Sequence, residues 1–247
     1  MLRICRRVGE SVGRRMRYEY LHSVVSSSKP PAKKSKYPSA LPLDLCELIV
    51  KMYTKRGDFI VDPFCGAGSI LIAAAKCERW ALGIDINEEA VRVAEERILE
   101  HKADHRVKVL LGDALEIDKY VESCDHIITH PPYAFAIKYK RGDRRELSNL
   151  TYSEFLDKMK IFIEKASMLF KRYFILIVGD VRKRDRIYPL HADLIKIAGE
   201  ILTLRDIGIW EYGVASSYSY IKPYSVVTRE GEGRFAIHHN YILVFTQ

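Results

Sequence analysis

Five short apolar runs, each stopped by an acid, a glycine or a proline, constrain this chain more than any other feature. Phe59-Ile60-Val61 stops at Asp62, Trp80-Ala81-Leu82-Gly83-Ile84 at Asp85, and Val107-Lys108-Val109-Leu110-Leu111 at Gly112-Asp113-Ala114. Cys124-Asp125-His126-Ile127-Ile128-Thr129 stops at His130-Pro131-Pro132-Tyr133, and the wholly apolar Tyr173 to Val178 stops at Gly179-Asp180. Around these runs apolar residues recur at helical spacing. Helices are predicted over Leu43 to Tyr53, Ile70 to Cys77, Glu88 to about Glu100 (capped by Asn87 or Asp85), and His191 to Gly199. Another, opened by Ser153 or Thr151, runs through Phe155, Met159, Phe162, Ile163, Ala166 and Leu169. Ile201 to Tyr212 and Phe235 to Phe245 read as a closing antiparallel pair. Alternating strands and helices imply an α/β fold with a mostly parallel sheet covered on both faces.

In such sheets ligands sit beyond the carboxyl ends of the strands. Asp62, Asp85, Asp113, His130 and Asp180 all fall at predicted strand ends, and that shared position is the case for one site. Asp62-Pro63-Phe64-Cys65-Gly66-Ala67-Gly68-Ser69 lies between a strand and a helix, so its backbone can approach a ligand closely at a helix N-terminus. Asp85 follows roughly 20 residues later, where nucleotide-binding βαβ units hold ribose hydroxyls. A NAD-binding enzyme would use the same parts, but Gly66-Ala67-Gly68-Ser69-Ile70-Leu71 lacks the third glycine of that fingerprint. His130-Pro131-Pro132-Tyr133 is stiff, because proline fixes its own φ and restricts the residue before it. Such a shelf suits gripping a planar amino group under a stacked aromatic ring; a plain turn is the alternative.

Taken in register, these segments resemble the class I S-adenosylmethionine-dependent methyltransferases of the DNA methylase N-4/N-6 type, over roughly residues 36 to 247. The resemblance implies a Rossmann-like seven-stranded, mostly parallel sheet with helices on both faces and an antiparallel last strand. It implies S-adenosylmethionine as cofactor, held by Asp62, Pro63, Phe64, Cys65, Gly66, Gly68 and Ser69 in the loop. Asp85 and Ile86 would serve the ribose, and Asp113 and Ala114 the adenine edge. Ser39, within Tyr37-Pro38-Ser39-Ala40-Leu41-Pro42, would close over the methionine end. His130, Pro131, Pro132 and Tyr133 match the family's catalytic Asp/Asn/Ser-Pro-Pro-Tyr tetrapeptide, and the histidine departs from that pattern.

The chemistry fits those residue types. An exocyclic base amine is a poor nucleophile, since its lone pair is delocalised into the ring. Acceptors for its two N–H groups, from residue 130 and the Pro131 carbonyl, would free that lone pair, and Tyr133 would stack on an extruded base. A neutral imidazole keeps one acceptor nitrogen and can take a proton; the alternative is that His130 only packs at the rim. Family members with serine at that position tend toward cytosine N4, which favours cytosine N4 over adenine N6 here. Carbon-5 cytosine methylation needs a cysteine nucleophile, usually after proline, and the chain has no Pro-Cys.

Composition bounds the partners. The formal charge is +8, and residues 1–36 hold ten Lys/Arg against Glu10 and Glu19, so ten minus two accounts for all of it. A basic arm over residues 1–35 beside a catalytic domain over 36–247 suggests phosphate contact, with a solvated tail as the alternative. Ser26-Ser27-Ser28-Lys29-Pro30-Pro31 reads as a flexible link. Basic residues mixed with tyrosines recur in Lys138, Lys140 and Arg141, in Arg182 and Lys183, and in Tyr218 and Tyr220. They fit phosphate clamping and stacking on unpaired bases, or else ordinary solvated loops. No segment is long enough for a separate DNA-recognition domain, so structured RNA such as ribosomal RNA is favoured slightly over DNA. No apolar run approaches the ~18 residues of a membrane span, and no secretory signal core is present; a mitochondrial presequence over Met1 to Arg17 is the minor alternative to a cytoplasmic protein. Five cysteines without Cys-x-x-Cys imply reduced thiols and no metal. Asn87, Asn149, Asn240 and Gln247 are the only amides, which suggests a thermophile. A relative that binds nucleic acid but has lost catalysis at His130 is the reading of another class.

Overall fold

The computed structural model describes residues 23–27, 40–133, 145–183, 186–212, 237 and 239–247. In chain order they form β1 (Val24–Ser27), α1 (Leu43–Tyr53), β2 (Phe59–Asp62), α2 (Ser69–Lys76), β3 (Trp80–Asp85), α3 (Glu88–Glu100), β4 (Val107–Leu111) and β5 (Cys124–Thr129). Then come α4 (Tyr152–Ser167), β6 (Phe170–Val178), β7 (Val181–Lys183), β8 (Arg186–Tyr188), α5 (Leu190–Ala198), β9 (Thr203–Tyr212) and β10 (His239–Thr246). Short 3-10 turns cover Ala114–Lys119 and Leu147–Asn149.

The main sheet runs β1-β9-β10-β6-β5-β2-β3-β4, and β7 and β8 form a separate hairpin. β10 is antiparallel to both β6 and β9, and every other pairing in the main sheet is parallel. The expected Rossmann-like architecture with its antiparallel last strand is therefore present, but the sheet has eight strands where seven were expected. The added strand is β1, whose Val24 to Ser27 pair in parallel with Ile209 to Tyr212. Four residues, half of them serine, carry no usable periodicity. Their strand state comes from the edge that β9 offers, a tertiary effect that local propensity does not encode. Ser26 and Ser27, read above as the start of a link, are thus strand residues.

Two apolar layers cover the sheet. On one face Phe155, Met159, Phe162 and Ile163 of α4 and Leu190 and Leu194 of α5 pack on Val61, Ile127, Phe174 and Leu176. On the other, Leu45 and Ile49 of α1, Ile70 to Ala75 of α2 and Ala94 and Ile98 of α3 pack on Ile60, Ile128 and Ile175. Each fully buried side chain of this size is worth about 1.5–3 kcal/mol. The helix starts are set locally. Asn87 accepts from Glu89 N–H at 3.1 Å, and Thr151 forms a capping box with Glu154 at the start of α4. Since β2 to β6 run parallel, their carboxyl ends share one edge of the sheet, and the stop residues of the sequence gather along it.

Candidate active site

The loop after β2 turns tightly enough to need glycine. Gly66 (φ 48°) and Gly68 (φ 74°) lie in the left-handed region. A Cβ on Gly68 would also sit 3.3 Å from the Ala94 side chain, so α3 packs directly against the turn. Arg97 of the same helix donates to the Ala67 carbonyl, which ties the loop down from below. On the β3 side, Asp85 accepts Gly66 N–H at 2.8 Å and Asn87 N–H at 2.9 Å. Burial raises the Asp85 carboxyl against these amide donors and that of Ile86, and the net shift is upward. Gly83 has no room for a side chain, because a Cβ would lie 2.4 Å from Leu71 Cδ1 and 2.9 Å from Cys65 Sγ. Cys65 itself is buried, and burial pushes its thiol well up, as expected for a packing residue and not a nucleophile.

Asp62 is only 1% exposed. It accepts from Thr129 Oγ1 at 2.6 Å and from Phe64 N–H at 3.2 Å. Burial, with the nearby charge of Asp85, pushes its carboxyl up to about 7 despite those donors. Phe64 packs edge-on against Phe162 with centroids 5.1 Å apart. Asp113 caps the next turn by accepting Leu115 N–H at 2.9 Å, and Ala114 is buried behind it. Pro63 is buried, Ser69 opens α2, and Ile86 is half-buried beside Asp85.

The Thr129–Asp62 bond decides the placement of the tetrapeptide. Thr129 immediately precedes His130, so the proline shelf begins beside the glycine loop, on the neighbouring strand of the sheet. Pro131 is buried; Pro132, Tyr133 and His130 are half-buried. His130 Nε2 lies 2.7 Å from the Tyr133 hydroxyl, with the rings edge to face at 5.5 Å. Burial pushes the His130 imidazole down to about 4, so at neutral pH it is uncharged. It can accept a hydrogen bond but is a poor proton sink.

Asp62, Asp85, Asp113 and the tetrapeptide thus share one edge. Arg182 and Lys183 lie on the β7–β8 hairpin that leaves the end of β6. Ser39, Lys138, Lys140, Arg141, Tyr218 and Tyr220 lie outside the described residues. Among the described residues, no cluster of His, Cys, Asp or Glu is arranged to hold a metal, and no helix is long and apolar enough to cross a membrane. Sequence reading missed Thr129, hidden inside an apolar run, and Arg97, whose helical face meets the loop only in three dimensions.

Residues 14–96 match the family model described as DNA methylase, and residues 60–144 a second described as a methyltransferase domain. Over these segments the chain is similar to S-adenosylmethionine-dependent methyltransferases, including those of the DNA methylase type. The tRNA (guanine(10)-N2)-dimethyltransferase of Methanothermobacter thermautotrophicus is 30% identical over 145 residues, covering 58% of this chain and 41% of that protein. The type II methyltransferase M.HpaI of Haemophilus parainfluenzae is 26% identical over 147 residues, 58% of this chain and 43% of that protein. The chain therefore spans less than half the length of these curated relatives. Among solved structures, TrmN from Thermus thermophilus superposes with a TM-score of 0.58 at 16% identity, over 85% of this chain and 50% of that one, a likeness of fold.

Proposed function

We propose that this chain transfers a methyl group from S-adenosylmethionine to the exocyclic amine of a nucleic-acid base, with cytosine N4 of a structured RNA such as rRNA as first candidate. The observation that carries the reading is the 2.6 Å bond between Thr129 and Asp62, which joins the amine-gripping shelf to the cofactor loop. The loop fits the cofactor chemically. Asp62 is a buried carboxyl bonded to neutral donors, and a cation is what would complete it. S-adenosylmethionine supplies an activated, sulfonium-bound methyl and carries a second positive charge on its amino group. Asp62 would face that amino group, Asp85 the ribose and Asp113 the adenine edge, while Gly66 and Gly68 let the backbone approach. The remaining task is positioning, because the leaving group comes with the cofactor.

His130 and Tyr133 divide the work on the amine. If the Tyr133 hydroxyl donates to His130 Nε2, the imidazole proton sits on Nδ1 and no acceptor is left. If Nε2–H donates to the tyrosine oxygen, Nδ1 keeps a lone pair for the amine, next to the Pro131 carbonyl. The productive tautomer is therefore the one that Tyr133 stabilises as an acceptor. The Tyr133 ring meanwhile offers a stacking face to an extruded base.

RNA is favoured because Arg182, Lys183 and the basic arm offer sequence-independent phosphate contacts of the kind that suit a structured RNA. The Methanothermobacter thermautotrophicus relative named for guanine(10)-N2 of tRNA favours a second reading, guanine N2 in RNA. DNA cytosine N4 or adenine N6 is the alternative substrate, and a catalytically silent nucleic-acid-binding relative the alternative of another class. The described cysteines are buried and free, which supports a reducing, cytoplasmic setting. Nucleoside mass spectrometry of total RNA and genomic DNA, with and without the gene, tests the reading. Loss of N4-methylcytidine from RNA is the expected result. No change in any methylated nucleoside, alongside intact cofactor binding, would leave the silent relative as the better account.

A further inference from the structure

A second group of polar side chains stands at the same edge of the sheet, and the reaction as derived above does not use it. Asp180, just past β6, accepts from His191 Nδ1 at 2.7 Å and from His191 N–H at 3.2 Å. The imidazole lies flat on Tyr241 of β10, with ring centroids 3.8 Å apart and planes 15° off parallel. His239 meets the same tyrosine edge-on at 4.9 Å. The His191 side chain keeps 24% of its surface exposed and Asp180 13%. Held on three sides by a carboxylate, its own backbone bond and a ring, this imidazole has little rotational freedom.

The pair adjoins the shelf. Asp180 follows Gly179, where a Cβ would come 3.6 Å from the Tyr133 hydroxyl and 2.1 Å from Asn240 Oδ1. The basic hairpin with Arg182 and Lys183 begins at the next residue, Val181. A base gripped at His130 and Tyr133 would carry its sugar and flanking phosphates toward that hairpin, past His191. The bond from Nδ1–H to Asp180 leaves Nε2 as the lone-pair edge of the neutral ring, and among the described residues nothing bonds to it.

We propose that His191, oriented by Asp180 and stacked on Tyr241, is a substrate-binding residue whose Nε2 accepts a hydrogen bond from the nucleotide that carries the reacting amine. The donor is a ribose hydroxyl of that nucleotide, since cytosine and adenine carry no ring N–H. A ribose 2′-hydroxyl is the donor that separates RNA from DNA at a single position. Asp180 is then a positioning residue: it fixes which ring nitrogen carries the proton. The inference rests on the amine-methyltransferase reading and refines what that site recognises.

The test uses the full-length protein, tritiated S-adenosylmethionine and RNA oligonucleotides carrying the site that the wild-type enzyme methylates. If wild-type protein labels no nucleic acid, the underlying reading fails; the present inference fails only by comparison of variants with an active wild type. His191→Phe keeps the stack on Tyr241 and removes the acceptor. It should lower kcat/KM on RNA about tenfold, the value of roughly one hydrogen bond, while melting temperature and cofactor affinity hold. Asp180→Ala, which removes the acceptor for His191 Nδ1–H, should give a similar loss. A 2′-deoxy substitution at the target nucleotide should cost wild type about tenfold and His191→Phe almost nothing more, which identifies the ribose hydroxyl as donor. A deoxy penalty of equal size in both proteins would show that the ribose hydroxyl does not donate to His191 and would overturn the assignment. His191→Phe turning over within twofold of wild type, or losing cofactor affinity in step with turnover, would overturn the assignment.

Discussion

The buried carboxyl of Asp62 allows a sharp experiment. A carboxyl moved from 3.8 to about 7 by burial makes ionisation costly to the folded chain. The sign follows from the direction of the shift. Below the unfolded value both states are protonated and the group costs nothing. As pH rises from 3.8 toward 7 the unfolded chain releases its proton and the folded chain does not, so stability is progressively lost. Integrated to pH 8, that loss is about 4 kcal/mol, and at pH 4 it is under about 1 kcal/mol. Asp62→Asn removes the titration and keeps an acceptor for Thr129 Oγ1 and Phe64 N–H. Its new amide protons must find partners, which costs about 1–3 kcal/mol at every pH. The pH-dependent part is therefore the signal. Urea denaturation of both proteins from pH 4 to 8, without cofactor, should show the variant gaining on wild type by a few kcal/mol, mostly above pH 5. A difference constant across that range would refute the argument. With cofactor, wild-type affinity should rise as pH passes 7, because the cation requires the ionised carboxylate, and the variant should bind weakly with a flatter profile.

Asp85→Ala should weaken cofactor binding about ten- to a hundredfold, since it removes a carboxylate that also ties Gly66 and Asn87 N–H; unchanged affinity by calorimetry would contradict the ribose assignment. Gly83→Ala should cost about 1–3 kcal/mol by overpacking Leu71 and Cys65, read as a lower urea midpoint. Tyr133→Ala should abolish transfer with cofactor binding nearly intact, whereas Tyr133→Phe should lower kcat about tenfold by releasing the His130 tautomer; full turnover in either would place stacking and tautomer control elsewhere. Removal of residues 1–22, which spares β1, should weaken RNA binding and flatten its salt dependence, and an unaltered slope would make the arm a bystander.

The βα succession was readable because each strand is apolar, each helix periodic, and each strand ends at a residue that cannot continue it. The loop and acids were readable because their chemistry is local: glycine where φ must be positive, an acid at the end of a strand. What escaped was non-local. β1 exists because β9 has an edge to fill, and Val24 to Ser27 alone do not announce it. Arg97 looks like any basic residue in the last turn of a helix, yet it holds a loop carbonyl that lies distant in sequence. His191 was read only as the start of a helix; its pairing with Asp180 and stacking on Tyr241 join three separate elements. The histidine at position 130 was recognised as a departure, but its proton affinity was not readable, because that depends on burial in the folded chain.

The two ends of β2 show what separates a structural acid from a binding one. Asp58, at the amino end, is held below the usual carboxylate range: burial alone would raise it, but Lys55 N–H, His126 and the Arg172 guanidinium outweigh that cost. Its charge is satisfied within the fold, so the folded chain favours the ionised form. Asp62, at the carboxyl end of the same strand, has one hydroxyl, one amide and another acid for company, and its carboxyl rises to about 7. The same residue type, at the two ends of one strand, is shifted in opposite directions: at Asp58 the bonds from Lys55 N–H and His126, with the Arg172 charge, outweigh partial burial, and at Asp62 full burial outweighs two donors. A protein selected only for stability would gain by replacing Asp62 and keeping Asp58. That the costly acid lies beside two left-handed glycines and the proline shelf, at the edge where parallel strands end, supports the proposal that a positively charged ligand is bound there.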